Sequence, residues 1–349
     1  MAHRVIKRDL HLRFFSDNTG TASPEILAAL TDANHGLVSA YGNDPWTLRL
    51  DDCLSTYFGT SVRAFPVATG TAANSLSLAT LTPSYGLIFA HEEAHIANDE
   101  AGAPGFFSGG AQLSLLQSPG GKLSRAVLAA ALEAHGVSVH TLQPKALALS
   151  QATELGTAYR PDELRELCQL AHDHGLKVQM DGARFANSVA FLDCHPGDVT
   201  WRAGVDVMTF GATKNGALAA EAVVFFDKAL VGDFELRRKQ SGHLLSKSRF
   251  VSAQLLAYVE SGAWLRNARR TNELAQKIGR AANGLLMHPV EANEIFLALG
   301  AERKQALRQA GFEFYDWNAV SAGQARLVVS WDQCDEDVLA LCRALERIL

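Results

Sequence analysis

From about residue 23 onward the chain alternates short apolar runs with amphipathic stretches. Ser23-Pro24-Glu25 opens a helix, with serine as its cap and proline at its first position, and Gly36 is the expected stop. Asp44-Pro45 opens a second helix that ends at Gly59. The apolar run Val62 to Val67 predicts a strand, followed by Gly70-Thr71 and an apolar helix to Leu81. Further strands are expected at Leu87 to Ala90, Gln112 to Leu116, Lys145 to Ser150, Lys177 to Met180, Val205 to Phe210 and Ala222 to Phe226. Between them, Ser124 caps a helix running to about His135, and Pro161 starts a strongly amphipathic helix that stops at Gly175. Strands alternating with helices at this spacing imply a mostly parallel sheet covered on both faces.

After about Leu236 the texture changes. A helix-rich stretch spans Ser248 to Leu286, followed by strand (Glu294 to Leu299), helix (Ala301 to Ala310), strand (Arg326 to Ser330) and helix (Glu336 to Ile348). This predicts a large α/β domain over residues 1–245, N-terminal segment included, and a small α+β domain over 246–349 with an antiparallel sheet. No internal repeat or flexible linker interrupts the pattern.

The 349 residues are 48% hydrophobic, ample for a large core. Asp plus Glu (37) slightly exceed Lys plus Arg (32), and no long basic run stands out, so nucleic acid is not an expected partner. The five cysteines include no Cys-x-x-Cys pair and are odd in number, which predicts a reduced chain rather than a disulfide scaffold. Among the twelve histidines, His172 and His174 sit two apart on an expected helix and so diverge, and no metal site is expected. Met1 to Phe15 lacks the apolar segment of a signal peptide, and no apolar stretch reaches membrane-spanning length. The expectation is a soluble cytoplasmic protein with no membrane partner.

Ligands of such sheets sit at the carboxyl ends of the strands, and three chemically informative segments fall there. Ala68-Thr69-Gly70-Thr71-Ala72 leads from a strand into a helix, whose free N–H groups and dipole suit one phosphate. Asp181-Gly182-Ala183-Arg184 places a carboxylate at the end of an apolar strand. Such a buried acid needs a cationic partner, either a structural arginine or a protonated pyridine nitrogen. Gly211-Ala212-Thr213-Lys214-Asn215-Gly216 puts a lysine among small residues just after a strand. A desolvated amine there becomes a nucleophile toward aldehydes. Convergence of the three points to pyridoxal 5'-phosphate (PLP), carried as a Schiff base on Lys214 and held electronically by Asp181.

With these segments in view, the chain resembles the low-specificity threonine aldolases, fold-type-I PLP-dependent enzymes, and looks closest to members that also cleave phenylserine. The resemblance covers nearly the whole chain. It rests on Phe15-Ser16-Asp17-Asn18, Tyr41-Gly42-Asn43-Asp44-Pro45, Thr69 to Asn74, His91 to Ile96, Asp181 to Arg184, Gly211 to Gly216 and Arg326 to Trp331. It implies a large, mostly parallel seven-stranded domain with a small C-terminal α+β domain. It further implies retro-aldol cleavage of a β-hydroxy-α-amino acid to glycine and an aldehyde. Under it Lys214 binds PLP, Asp181 pairs with the pyridine nitrogen, Gly70 and Thr71 bind the phosphate, and His95 stacks on the ring. Ser16, Arg184 and Arg326 grip the substrate carboxylate, Arg184 by a two-bond fork. A homo-dimer or homo-tetramer is implied, with active sites at the subunit interface and Tyr41 lent by a neighbouring subunit.

One departure stands out. The family's Gly-Gly-Gly-Met-Arg-Gln-like segment corresponds here to Lys239-Gln240-Ser241-Gly242-His243-Leu244-Leu245-Ser246-Lys247-Ser248-Arg249, so Lys247 or Arg249 replaces the usual interface arginine. Other PLP activities on this frame (β-elimination, racemisation, transamination) remain alternatives, because fold alone does not select the reaction. A non-catalytic PLP-binding regulator is a more distant one, since the match begins near residue 14 and leaves no room for a DNA-binding domain.

Overall fold

The computed structural model describes residues 12–136, 138–318 and 323–348. The N-terminal reading of Met1 to Phe15 therefore lies mostly outside the described residues. Ten strands occur among them. They are β1 (Arg63–Val67), β2 (Gly86–His91), β3 (Gln112–Leu116), β4 (Gln143–Ser150), β5 (Lys177–Gly182), β6 (Val207–Gly211), β7 (Glu221–Phe225), β8 (Glu294–Ala298), β9 (Tyr315–Trp317) and β10 (Gln324–Val328). The first seven form one sheet in the order β1-β7-β6-β5-β4-β2-β3. β7 pairs antiparallel with both β1 and β6, and the remaining pairings are parallel. This is the expected seven-stranded, mostly parallel α/β architecture.

Both faces of the sheet are covered, so the central strands are buried along almost their whole length. Alternation along each strand then decides what meets what. Val178 and Met180 of β5, with Met208 and Phe210 of β6, face one core with Leu164, Leu167 and Phe185. Their neighbours Gln179, Asp181 and Thr209 must face the opposite side. There the helix Gly70–Leu81, capped by the Thr69 hydroxyl on Ala72 N–H, lies buried from Ala72 to Ala79. Asn74 on that helix meets all three, as described below.

A second core gathers Phe14, Leu274, Ile278, Leu297, Leu327 and Leu341 around the antiparallel sheet β8-β10-β9. The helix Arg249–Glu260 packs Val251, Leu255 and Tyr258 into the first core, whereas Leu274 and Ile278 of the helix Ala263–Ala281 belong to the second. This pair of helices therefore straddles the cores on the C-terminal side of residue 245. No helix among the described residues is long and apolar enough to cross a membrane.

Candidate active site

Parallel register brings the carboxyl ends of the strands to one edge. Ser150 lies opposite Asp181, Asp181 opposite Thr209, and Gly211 opposite Glu221. A cavity of about 370 Å³ opens at this edge, and all three predicted segments line it through Gly70, Thr71, Asp181, Arg184 and Lys214. His95 and Glu154 complete the wall. An outer cavity of about 570 Å³ adjoins it and contains Ser16, Arg326, Tyr315 and Trp317. Five residues line both cavities: Asn18, His95, Glu154, Arg184 and Lys214.

Lys214 stands in the turn Thr213–Asn215 immediately after β6. Its loop is pinned on every side. The Asn215 amide donates to the Tyr258 hydroxyl (2.6 Å) and the Trp264 carbonyl (2.8 Å), and the Asn267 amide donates to the Asn215 carbonyl (3.0 Å). Gly216 has φ of +111°, and a Cβ there would meet the Asn267 amide at 3.0 Å, so glycine is required. The Lys214 ammonium itself forms no hydrogen bond or ion pair among the described residues. A rigid loop thus presents an unengaged amine to the cavity.

Asp181 is 9% exposed. Its Oδ1 accepts from Ala183 N–H (2.8 Å) and its Oδ2 from the Asn74 amide (2.7 Å). Asn74 also donates to Glu100 Oε1 (2.9 Å), and its own Oδ1 accepts from Thr209 (2.7 Å) and Gln179 (3.1 Å). The amide is fully used and cannot flip, so Asp181 is held in one orientation with lone pairs left over for a donor in the cavity. His95 Nδ1 contacts Glu100 Oε1 at 2.9 Å. That hydrogen bond is the main cause raising the imidazole pKa, with burial opposing and Asp181 assisting. His95, Glu100 and Asp181 each bring one ligand-type atom within 4.8 Å of the others. Hydrogen bonds from Asn74 and His95 already engage this trio.

The helix start around Gly70 suits an anion. Gly70 and Thr71 open this helix on the cavity wall, and a Cβ built on Gly70 would meet nothing within 4 Å. Beside it, Glu221 is 5% exposed and its Oε2 has no partner. Burial raises its pKa to about 7, against the pull of Thr213 and Lys214 and with a push from Asp181. An unfolded glutamate titrates near 4.5, so this group favours the fold fully only below that pH and the benefit is lost as pH rises through 7. Glu221→Gln removes the loss. In thermal unfolding of the PLP-free chain, the variant is expected to gain on the wild type from pH 5 to pH 8, by at most roughly 3 kcal/mol. A stability difference independent of pH would contradict this titration.

Arg184 is engaged by two acids. Its Nε and Nη2 donate to the two oxygens of Asp17 (2.7 and 3.0 Å), and its Nη1 lies 3.3 Å from Glu294 Oε1. A two-bond fork is therefore closed on a buried aspartate, while Arg184 lines both cavities. Burial works against the charge of Arg184, but Asp17 and Glu294 outweigh it and hold the group cationic. Asp17 is pushed up by burial yet ends below the usual carboxylate range, because Arg184 and Lys214 face it and Asn293 donates to it. Arg326 sits on β10 opposite Tyr315, with its guanidinium 5.4 Å from the Tyr315 ring and 5.7 Å from the Trp317 ring. Its Nε is buried without a partner. Ser16 lines the outer cavity while its hydroxyl accepts from Asn18 N–H (3.2 Å), which is also ordinary turn capping.

Tyr41, Lys247 and Arg249 lie together but line neither cavity. Tyr41 N–H donates to the Ser246 carbonyl (3.0 Å), and Arg249 donates to the Gly36 carbonyl (3.2 Å). Sequence reasoning gave no role to Asn74, Glu100, Glu154, Glu221, Glu294 or Asp17. Glu221 had a visible signal, a charge directly before the wholly apolar run Ala222 to Phe226.

The sheet, the carboxyl-edge cavity and its lysine–aspartate pair define an α/β enzyme of the fold-type-I class. Its structure superposes on that of Leishmania major threonine aldolase with a TM-score of 0.90 over 96% of this chain and 98% of the other, at 24% identity. The chain belongs to the β-eliminating lyase family, whose profile matches residues 13–302, and within it to the low-specificity L-threonine aldolases. It is 42% identical to the low-specificity L-threonine aldolase of a Pseudomonas species, over 98% of this chain and 99% of the relative. It is 43% identical to the one from Pseudomonas aeruginosa, over 97% and 98%. Membership makes it a carbon–carbon lyase.

Proposed function

We propose that this chain binds PLP and cleaves β-hydroxy-α-amino acids such as threonine, allo-threonine and phenylserine to glycine and an aldehyde. The observation that carries the reading is the unengaged Lys214 amine sharing one cavity with the fixed Asp181 carboxylate. The residues fit the cofactor. Lys214 would hold its aldehyde carbon, Asp181 its ring nitrogen, and the N–H groups at Gly70 and Thr71 its phosphate. Bound PLP supplies a sink for the electrons of the broken Cα–Cβ bond.

The chain's own residues do the rest. Arg326, backed by Arg184, orients the substrate carboxylate, and this fixes which Cα bond is aligned for cleavage. Two acids, Asp17 and Glu294, hold Arg184 in place from opposite sides. His95, oriented by Glu100, closes the cavity over the face where the cofactor ring would lie. The outer cavity, walled by Tyr315 and Trp317, has room for the β-substituent. Segment 36–43 leaves Leu37 fully exposed and Tyr41 half exposed beside Lys239. This supports a homo-oligomer in which a second copy covers that segment and brings Tyr41 and Lys247 or Arg249 toward a neighbouring site. The five free cysteines support a cytoplasmic location.

The test is an assay of glycine and aldehyde with threonine, allo-threonine and both phenylserine diastereomers, each as L and D forms. Equal amounts of the two products from at least one substrate are expected. A keto acid with ammonia instead would transfer the protein to β-elimination. In the same assay Arg184→Lys is expected to raise KM roughly tenfold, because a point charge cannot bond both oxygens of Asp17, while PLP affinity changes far less. Equal loss of both would remove Arg184 from substrate orientation.

A further inference from the structure

The retro-aldol reading requires a group that accepts the proton of the substrate's β-hydroxyl. We propose that this group is the Glu154 carboxylate, and the proposal rests on that reading of the reaction. The two cavities meet at Asn18, His95, Glu154, Arg184 and Lys214. An amino acid joined at its nitrogen where Lys214 stands, with its carboxylate beside Arg184, places Cα at this junction. Its β-hydroxyl oxygen, two bonds further, stays within reach of the same five side chains.

Four of the five do not accept that proton. The Asn18 amide does not titrate. Arg184 is held cationic by Asp17 and Glu294. Lys214 occupies the nitrogen end. His95 is tied at Nδ1 to Glu100 and closes the cavity over the face where the cofactor ring would lie. Glu154 remains. Its Oε1 accepts from His95 N–H (2.8 Å) and from the Ser150 hydroxyl (2.7 Å), while Oε2 has no partner. One oxygen is anchored by two donors, and the other is buried with its hydrogen-bonding capacity unmet.

The electrostatics agree with this geometry. Burial raises the Glu154 pKa to about 7, Ser150 opposes it, Asp181 pushes further, and His95 N–H pulls down. Arg184 faces it from across the junction. An acid titrating there is half ionised at neutral pH and a carboxylate above it, and is basic enough to accept a proton in a transition state. The step balances without a further reagent. The β-oxygen loses its proton to Glu154 and forms the aldehyde carbonyl as the Cα–Cβ bond breaks. That bond's electron pair goes to the Cα side, and a proton from solvent later completes glycine.

The experiment compares PLP-loaded wild type, Glu154→Gln and Glu154→Asp. Glutamine keeps an acceptor for His95 and Ser150 but takes no proton. Its kcat for β-hydroxy amino acids is expected to fall by roughly 10²- to 10⁴-fold, with a smaller loss in Glu154→Asp. The acid limb of the wild-type profile near pH 7 is expected to vanish with it. Exchange of glycine's Cα proton in deuterated water involves no hydroxyl, so it is expected to survive in Glu154→Gln within a few-fold. Cleavage by Glu154→Gln at the wild-type rate overturns the proposal, as does parallel loss of glycine exchange, which would mark a structural role. A wild type that cleaves no β-hydroxy amino acid defeats the retro-aldol reading itself. A wild type that cleaves alongside an equally active glutamine variant defeats only Glu154.

Discussion

Lys214→Ala is expected to abolish cleavage, with a loss of roughly 10³-fold or more, and to leave the fold in place. The two expectations have separate causes. The Lys214 amine makes no hydrogen bond or ion pair among the described residues, so its removal breaks neither, and Asn215 and Gly216 hold the loop without it. The stability change should stay within about 1 kcal/mol. Function depends on the amine entirely, because no other lysine among the described residues lines the inner cavity. After PLP is supplied, excess removed and borohydride added, the wild type should keep a stable adduct on the peptide bearing position 214. The alanine variant should keep none there. Activity in the variant above about one tenth of wild type would contradict the assignment.

Asp181→Asn carries the second largest effect, and two physical terms add. The amide has no negative charge with which to hold a pyridine nitrogen protonated, so electron withdrawal weakens. It also presents an NH₂ to one of two fixed donors, Ala183 N–H or the Asn74 amide. Asn74 cannot turn away, because Glu100, Thr209 and Gln179 hold it. Facing donors without an acceptor costs about 1–3 kcal/mol. The expected result is a fall in kcat of roughly 10²-fold or more together with weaker PLP retention. Steady-state kinetics and a PLP titration read the two effects separately. Unchanged kcat at saturating PLP would place the ring nitrogen elsewhere.

Much of the large domain was legible because its pattern is local. Gln112 to Leu116 is a strand as expected, and β5 runs from Lys177 through Asp181 to Gly182. Apolar runs bounded by glycine and proline mark fully buried strands well. Short elements were harder. The helix expected from Pro45 to Gly59 is broken at Arg49 into Pro45–Leu48 and Leu50–Phe58, a kink no residue announces. Helix Phe185–Leu192 has no capping side chain, and β9 is three residues of mixed polarity, so neither stood out.

The site divides along the same line. Gly70, Asp181 and Lys214 were legible because each ends a strand, and strand ends of such sheets meet. Their supporting partners were not. Asn74 reaches Asp181, and Asp17 reaches Arg184, across more than a hundred residues of chain. Local sequence shows Arg184 without a partner, and the fold supplies Asp17. Glu154 sits in a loop whose composition, Gln-Ala-Thr-Glu-Leu-Gly, carries no mark of the cavity it borders.

The most direct measurement is a crystal structure of the PLP-loaded protein. The account predicts continuous density from Lys214 Nζ to the cofactor's aldehyde carbon, the ring nitrogen within hydrogen-bond distance of the Asp181 carboxylate, and the phosphate at the N–H groups of Gly70 and Thr71. A cofactor joined to another lysine, or a ring nitrogen facing any group other than Asp181, would contradict it.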